Sequence, residues 1–185
     1  MKRLFSLLTV GSLIAILVAF ALAQVPVSLV RGKVILGSAS AQSNPQSYLG
    51  PGGYADRSGV ILMTGTQSFN GSLNAFLIPN QNVGYFSGAV SGYIQFNFQV
   101  PLLITEATYN QQNSDAQGTW QFQGSTDGIS FTNIGATFAL GGATSQVLTT
   151  LNGNTTRYQY LRLNGISGTT SSGPYVYAML FKTSF

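Results

Sequence analysis

Residues 93–100 alternate without a break. Ile94, Phe96, Phe98 and Val100 fall on one face, and Gln95, Asn97 and Gln99 on the other. A period of two marks a strand with one buried face, because a helix would scatter these positions around its circumference. Pro101 has no amide proton to give a ladder, so it ends this strand or marks a sheet edge. Residues 103–110 read as the next strand and 119–124 as another, with Trp120 and Phe122 turned inward. Gly124-Ser125-Thr126-Asp127-Gly128 follows, and Asp-Gly favours the positive φ of a tight turn. The pattern resumes over 129–134 and 136–140, turns at Gly141-Gly142, resumes over 146–151 and turns at Asn152-Gly153-Asn154. Residues 157–163 and 175–181 are the last strands. The final one is apolar on both faces, which predicts a central place in its sheet. No stretch after residue 30 carries helical periodicity. Short strands with turn signals every ten or so residues predict an all-β antiparallel sandwich or barrel.

The start of the chain follows another rule. Lys2 and Arg3 precede an uncharged apolar run, and Ala21-Leu22-Ala23 is a small-x-small site, the layout of a secretory signal. The run extends to Val30, so residues 4–30 are also long enough to cross a bilayer as one hydrophobic helix, with Met1 inside and the remainder outside. The expected organisation is a signal peptide or retained anchor over 1–23, a linker or extended arm over 24–58, and a β-domain over 59–185.

Composition narrows the chemistry. Only 6% of the 185 residues are charged, against roughly 25% in an ordinary domain. Gly, Ser, Thr, Asn and Gln fill the polar positions, giving a surface of neutral amides and hydroxyls of the kind seen in adhesins and in virion shell or tail proteins. The net charge of +4 includes Lys2 and Arg3; six basic residues against four acidic ones leave +2 without them. With no Lys/Arg cluster to release counterions, no nucleic-acid partner is expected. Cys and His are both absent, which removes disulfides, thiol nucleophiles, Cys/His zinc sites and imidazole bases. An exported chain without Cys points to a prokaryotic or phage context. Of the four carboxylates, Asp127 is accounted for by its turn, Glu106 by a strand end, and Asp56 and Asp115 by loops. A glycosidase needs two carboxylates facing across a sugar, and no such pair is legible. No catalytic residue, cofactor or metal is therefore expected, although Asp56 with loop carbonyls has the oxygen chemistry that calcium takes.

The best ligand candidate is the segment from Tyr109 through Asn110, Gln111, Gln112, Asn113 and Ser114 to Asp115. It reads as a polar loop with an aromatic at its mouth. Sugars are held by ring stacking together with amide and carboxylate hydrogen bonds, so Tyr109, Asn110, Asn113 and Asp115 form the expected site. Tyr85-Phe86 is a second aromatic loop. Phe96, Phe98, Trp120, Phe122 and Tyr160 are expected in the core. Arg162 is expected to be structural, its guanidinium capping backbone carbonyls or pairing with a carboxylate.

Residues 118–134 resemble the middle of the discoidin domain, also called the coagulation factor type C domain. There an aromatic strand runs into Gly-Ser-x-Asp-Gly and then an aromatic residue before an aliphatic one, as Trp120, Gly124 to Gly128, Phe131 and Ile134 do here. The strand pair 93–100 and 104–109 is similar to the early strands of that family, Tyr158-Gln159-Tyr160-Leu161-Arg162-Leu163 to its late strand, and 175–181 to its closing strand. The likeness spans residues 90–185. It implies a galactose-binding-like jelly roll and a non-catalytic binding role. Domains of this kind also occur in phage tail and virion proteins. The terminal cysteines common in that family are missing, and no ligand motif matches residue for residue. The functional expectation is an exported or virion-surface module recognising a glycan or other cell-surface ligand. The alternative is a structural virion subunit (capsid, tail or envelope-associated) that packs against neighbouring copies and contacts a membrane through residues 4–30.

Overall fold

The computed structural model describes residues 56–171 and 173–184, with the backbone alone at 29–30, 33–34 and 184. The chain divides into units of residues 1–42 and 43–185. In the first, β1 (Leu29–Val30) and β2 (Lys33–Val34) pair antiparallel. The leader, the helix expected of it and most of the 24–58 segment lie outside the described residues. No helix among the described residues is long and apolar enough to cross a membrane.

The second unit holds β3 (Leu62–Gly65), β4 (Phe69–Gly71), β5 (Gly84–Phe86), β6 (Tyr93–Gln111), β7 (Ala116–Ser125), β8 (Thr132–Gly141), β9 (Ser145–Leu148), β10 (Arg157–Ser167) and β11 (Val176–Ser184). Short 3₁₀ turns occupy Leu73–Phe76 and Thr149–Leu151. Every strand pairing is antiparallel. The first half of β6 pairs with β3 and β10, which continues through β7 to β8. Its second half pairs with β11 and β9. One strand thus belongs to both layers of a sandwich. Residues 98–101 have no partner in any of these ladders, and Gln99 takes a φ of 63°. Pro101 therefore does not end the strand. It sits in a bulge of the β6–β10 ladder, between Asn97 opposite Tyr160 and Leu102 opposite Tyr158, where no ladder amide is required of it.

Between the layers lies an aromatic core. Phe76 meets Phe69, Phe86 and Phe96 at centroid distances of 5.6, 5.6 and 5.8 Å. Phe181 from β11 packs edge-on against Phe96 and Phe98, at 5.0 and 5.2 Å, and Trp120 lies 5.1 Å from Phe86. Phe96, Phe98, Trp120 and Phe122 are all buried, each ring stabilising the fold by roughly 2–3 kcal/mol relative to exposure. The Trp120 indole N–H donates to the Gln117 carbonyl at 2.6 Å.

Three further expectations are corrected. Strand β11 lies at a sheet edge, not at the centre. Its two-sided burial arises because the first 3₁₀ turn and Arg57 cover the flank that β6 leaves open. The fully buried Arg57 guanidinium donates to the carbonyls of Met179 and Phe76, both at 3.0 Å, and of Leu77 at 3.3 Å. Arg57 falls in the segment expected to be linker, yet it is built into the sandwich. Where two stretches, 129–134 and 136–140, were expected, there is one strand, β8, which begins only at Thr132 and bulges at Gly135, whose φ is +68°. The buried Gln121 amide fills that bulge by donating to the Gly135 carbonyl at 2.8 Å.

Candidate functional site

Strand register defines two ends of the sandwich. One gathers the loops after β6, β8 and β10; the other holds residue 57 and the end of β11. The expected ligand loop lies at the first end, but its residues separate. Tyr109 is 0% exposed, 6.4 Å from Phe76, with its hydroxyl unpartnered; burial pushes its pKa far up. It is a core residue and offers no face to a sugar. The cause is a register shift. Lys182 pairs with Glu106 but Thr183 with Ile104, leaving Thr105 extra. Such a bulge exchanges the faces, so the buried positions change from Leu102 and Ile104 to Ala107, Tyr109 and Gln111. Asn110 stays in the strand, half-buried, opposite Ala178 and Ser145.

Asn113 and Asp115 do come together, exposed at the loop tip. The Asn113 amide donates to the Asp115 carboxylate at 3.1 Å, and the Asp115 amide N–H donates to Asn113 Oδ1 at 2.9 Å. Beneath them the buried Gln111 side chain donates to the carbonyls of Asn113 and Asp115, at 2.9 and 2.7 Å. The loop is held in shape before any ligand arrives, which lowers the ordering cost of binding. The aromatic beside it is Tyr175. Its amide donates to Gln112 Oε1 at 3.4 Å, its carbonyl accepts from the Gln112 amide at 2.9 Å, and its ring meets Tyr85 edge-on at 5.6 Å. Tyr175 stands just before the apolar run of β11, so nothing local in the sequence ties it to a loop some sixty residues earlier.

A second polar surface lies on the outer face of the larger sheet. Register aligns Thr64, Gln95, Arg162, Gln123 and Asn133 in one row across five strands. Arg162 does not cap carbonyls or pair with a carboxylate, as expected of it. Its guanidinium lies between the rings of Phe131 and Tyr93, 3.6 and 3.9 Å from their centres, and donates to Gln95 Oε1 at 2.8 Å. Desolvation lowers its pKa. Carbonyl capping belongs to Arg57 instead. Tyr160 is likewise half-buried on this outer face, beside Gly128, while Leu161 and Leu163 point into the core.

The carboxylates are placed locally. Asp127 accepts from the amides of Ile129 and Ser130 and from the Ser125 hydroxyl, which together hold its carboxyl below the usual range. Asp56 accepts from Ser58, with the same effect on its pKa. Glu106 is in mid-strand opposite Lys182, not at a strand end. Asp115 and Asp127 flank opposite ends of β7. Among the described residues no cluster of three or more Asp, Glu, Cys or His side chains forms.

No protein-family model and no curated protein matches the sequence. Solved structures do. The Clostridium perfringens module CpGH89CBM32-5, in complex with GalNAc-β-1,3-galactose, superposes with a TM-score of 0.51 at 16% identity, covering 69% of this chain and 99% of that one. The family 32 CBM of C. perfringens NanJ, in complex with galactose, gives 0.51 at 11% identity, covering 69% and 97%. Allantoicase from Saccharomyces cerevisiae gives 0.50 at 9% identity, covering 68% and 40%. The fold is thus an all-β antiparallel sandwich resembling family 32 carbohydrate-binding modules. It also occurs within an allantoicase, so architecture by itself assigns no activity.

Proposed function

We propose that this chain is an exported, non-catalytic module that recognises a neutral glycan at the loop end of its sandwich. The observation that carries the reading is the Tyr85–Tyr175 ring pair, joined through Tyr175 to Gln112 in the loop that also carries the bonded Asn113 and Asp115. A sugar ring offers a C–H face and a rim of hydroxyls, which suits an aromatic flanked by neutral amides and one carboxylate. The two C. perfringens modules, seen with galactose-containing ligands, share this fold and support the choice of ligand class. Tyr175→Ala tests it. Binding of galactose and N-acetylgalactosamine, followed by calorimetry, should fall at least about tenfold, while the thermal midpoint moves little because the ring is only half-buried. Wild-type affinity in that variant would remove the loop end from consideration.

The assembly alternative is favoured by the amide row on the outer sheet face, which Leu62, 52% exposed, adjoins opposite Asn97. It predicts concentration-dependent association in light scattering that Gln95→Lys with Gln123→Lys abolishes. Export rests on residues 1–23. An intact mass beginning at Gln24 means a cleaved signal, and one beginning at Met1 means a retained anchor.

A further inference from the structure

At the opposite end from the Asp115 loop, a cleft of about 300 Å³ opens between β8 and the segment that leads into β10. Asn133 and Gly135 form one wall, Thr150 and Gly153–Thr156 the other, and Tyr158 completes the lining. None of these side chains is ionisable near neutral pH, so the cleft has no charge with which to select an ion. Its size is at the lower limit of ordinary ligand pockets, enough for one small ring. Three details indicate a built site rather than a surface irregularity. The Thr150 hydroxyl is buried yet has no hydrogen-bond partner, a cost that native proteins rarely leave unmet. The Tyr158 ring is packed so closely against Gly124 that a methyl group there would overlap it, which fixes the ring's orientation. Gly135 likewise leaves no room for a side chain against the Thr150 carbonyl, which holds the two walls at close approach.

We propose that this cleft is a second binding site, for a single neutral polyhydroxylated ring such as a hexose. The Asn133 amide would contact its hydroxyls and Tyr158 its C–H face, and rotation about the Thr150 Cα–Cβ bond would bring the covered Oγ1 into reach as a further partner. The proposal is independent of the loop-end reading: each site lies at its own end of β7 and can exist without the other.

Gly153 provides the test. It lines the cleft with nothing within 4 Å of where a side chain would begin, so Gly153→Tyr can obstruct the cleft without a clash at its first carbon. The full-length protein is titrated with galactose, N-acetylgalactosamine, glucose, N-acetylglucosamine and mannose, while backbone amide signals are followed by NMR. At least one sugar should give saturating shifts at Gly135, Gly153 and Thr155 with a Kd on the order of 1 mM or tighter. Those shifts should vanish in Gly153→Tyr, while any shifts at Asn113 and Asp115 persist. Thr150→Val keeps the shape, removes the unpartnered hydroxyl, and should weaken cleft binding about tenfold without lowering the thermal midpoint. Absence of saturating cleft shifts with all five sugars overturns the proposal, as do shifts that survive in Gly153→Tyr. Shifts confined to Asn113 and Asp115 would leave the loop-end reading standing and the cleft refuted; shifts confined to the cleft would do the reverse.

Discussion

Replacing Arg57 with methionine removes the guanidinium and keeps much of its volume. Leu77 retains a bond, because its carbonyl also accepts from the Arg57 backbone amide at 3.3 Å. The carbonyls of Phe76 and Met179 lose their guanidinium donor. An acceptor left unsatisfied in the interior costs about 1–3 kcal/mol, so two imply a loss of about 2–6 kcal/mol. That is a large part of the 5–15 kcal/mol typical of a whole domain. A competing effect acts against it. Burying a guanidinium carries a desolvation penalty, and replacing buried ionic groups with apolar ones is often neutral. Here the argument favours the loss, because the acceptors are backbone carbonyls and cannot be replaced along with the arginine. Urea unfolding followed by the fluorescence of Trp120, the single tryptophan, should show a lower midpoint with an unchanged slope. Arg57→Lys should fall between, since one ammonium reaches fewer acceptors. If Arg57→Met lies within about 0.5 kcal/mol of wild type, desolvation cancels the bonds and the latch between residue 57 and β11 contributes nothing net.

Tyr109→Phe should be neutral or stabilising by up to about 1 kcal/mol, because it deletes a buried hydroxyl that has no partner; sugar affinity should not change, and a loss of binding would return Tyr109 to the site. Asp127 has a depressed carboxyl pKa, so its contribution is present above the unfolded value of about 3.9 and is lost as pH falls through the lower folded value. Thermal midpoints should therefore be level from about pH 5 upward and fall in acid, with Asp127→Asn flattening the acid limb; an unaltered limb contradicts the assignment. Gly135→Ala should destabilise by about 1–3 kcal/mol, since φ is +68° and a methyl would overlap the Thr150 carbonyl; a wild-type midpoint would show that the bulge relaxes freely.

The alternation at 94–98 and the Gly124–Gly128 turn were legible because both are local: one sets a face, the other a chain reversal. Tyr109 was misread for the same reason. Its phase depends on one extra residue, Thr105, and nothing in the residue types there distinguishes a bulge from a regular strand. Arg57 stands among Gly, Ser and Asp with no periodicity, and its decisive partner, Met179, is 122 positions away. Tyr175 and Arg162 are similar cases, placed by loops and strands that only the folded register brings together. Composition points to a surface of neutral amides, yet Gln67, Gln111 and Gln121 are buried, each donating to backbone carbonyls. Gln67 accepts from the amides of Ser91 and Gly92 and donates to the Ala89 carbonyl.

The passage of β6 through both sheets also has a mechanical meaning. A tether entering at residue 56 and a ligand held at Asp115 would load the sandwich from end to end, along its strands. Ladder hydrogen bonds lie across that direction, so the pull would shear many of them together instead of peeling them one by one. Because β6 pairs with β10 in one layer and with β11 in the other, it would share that tension between the two.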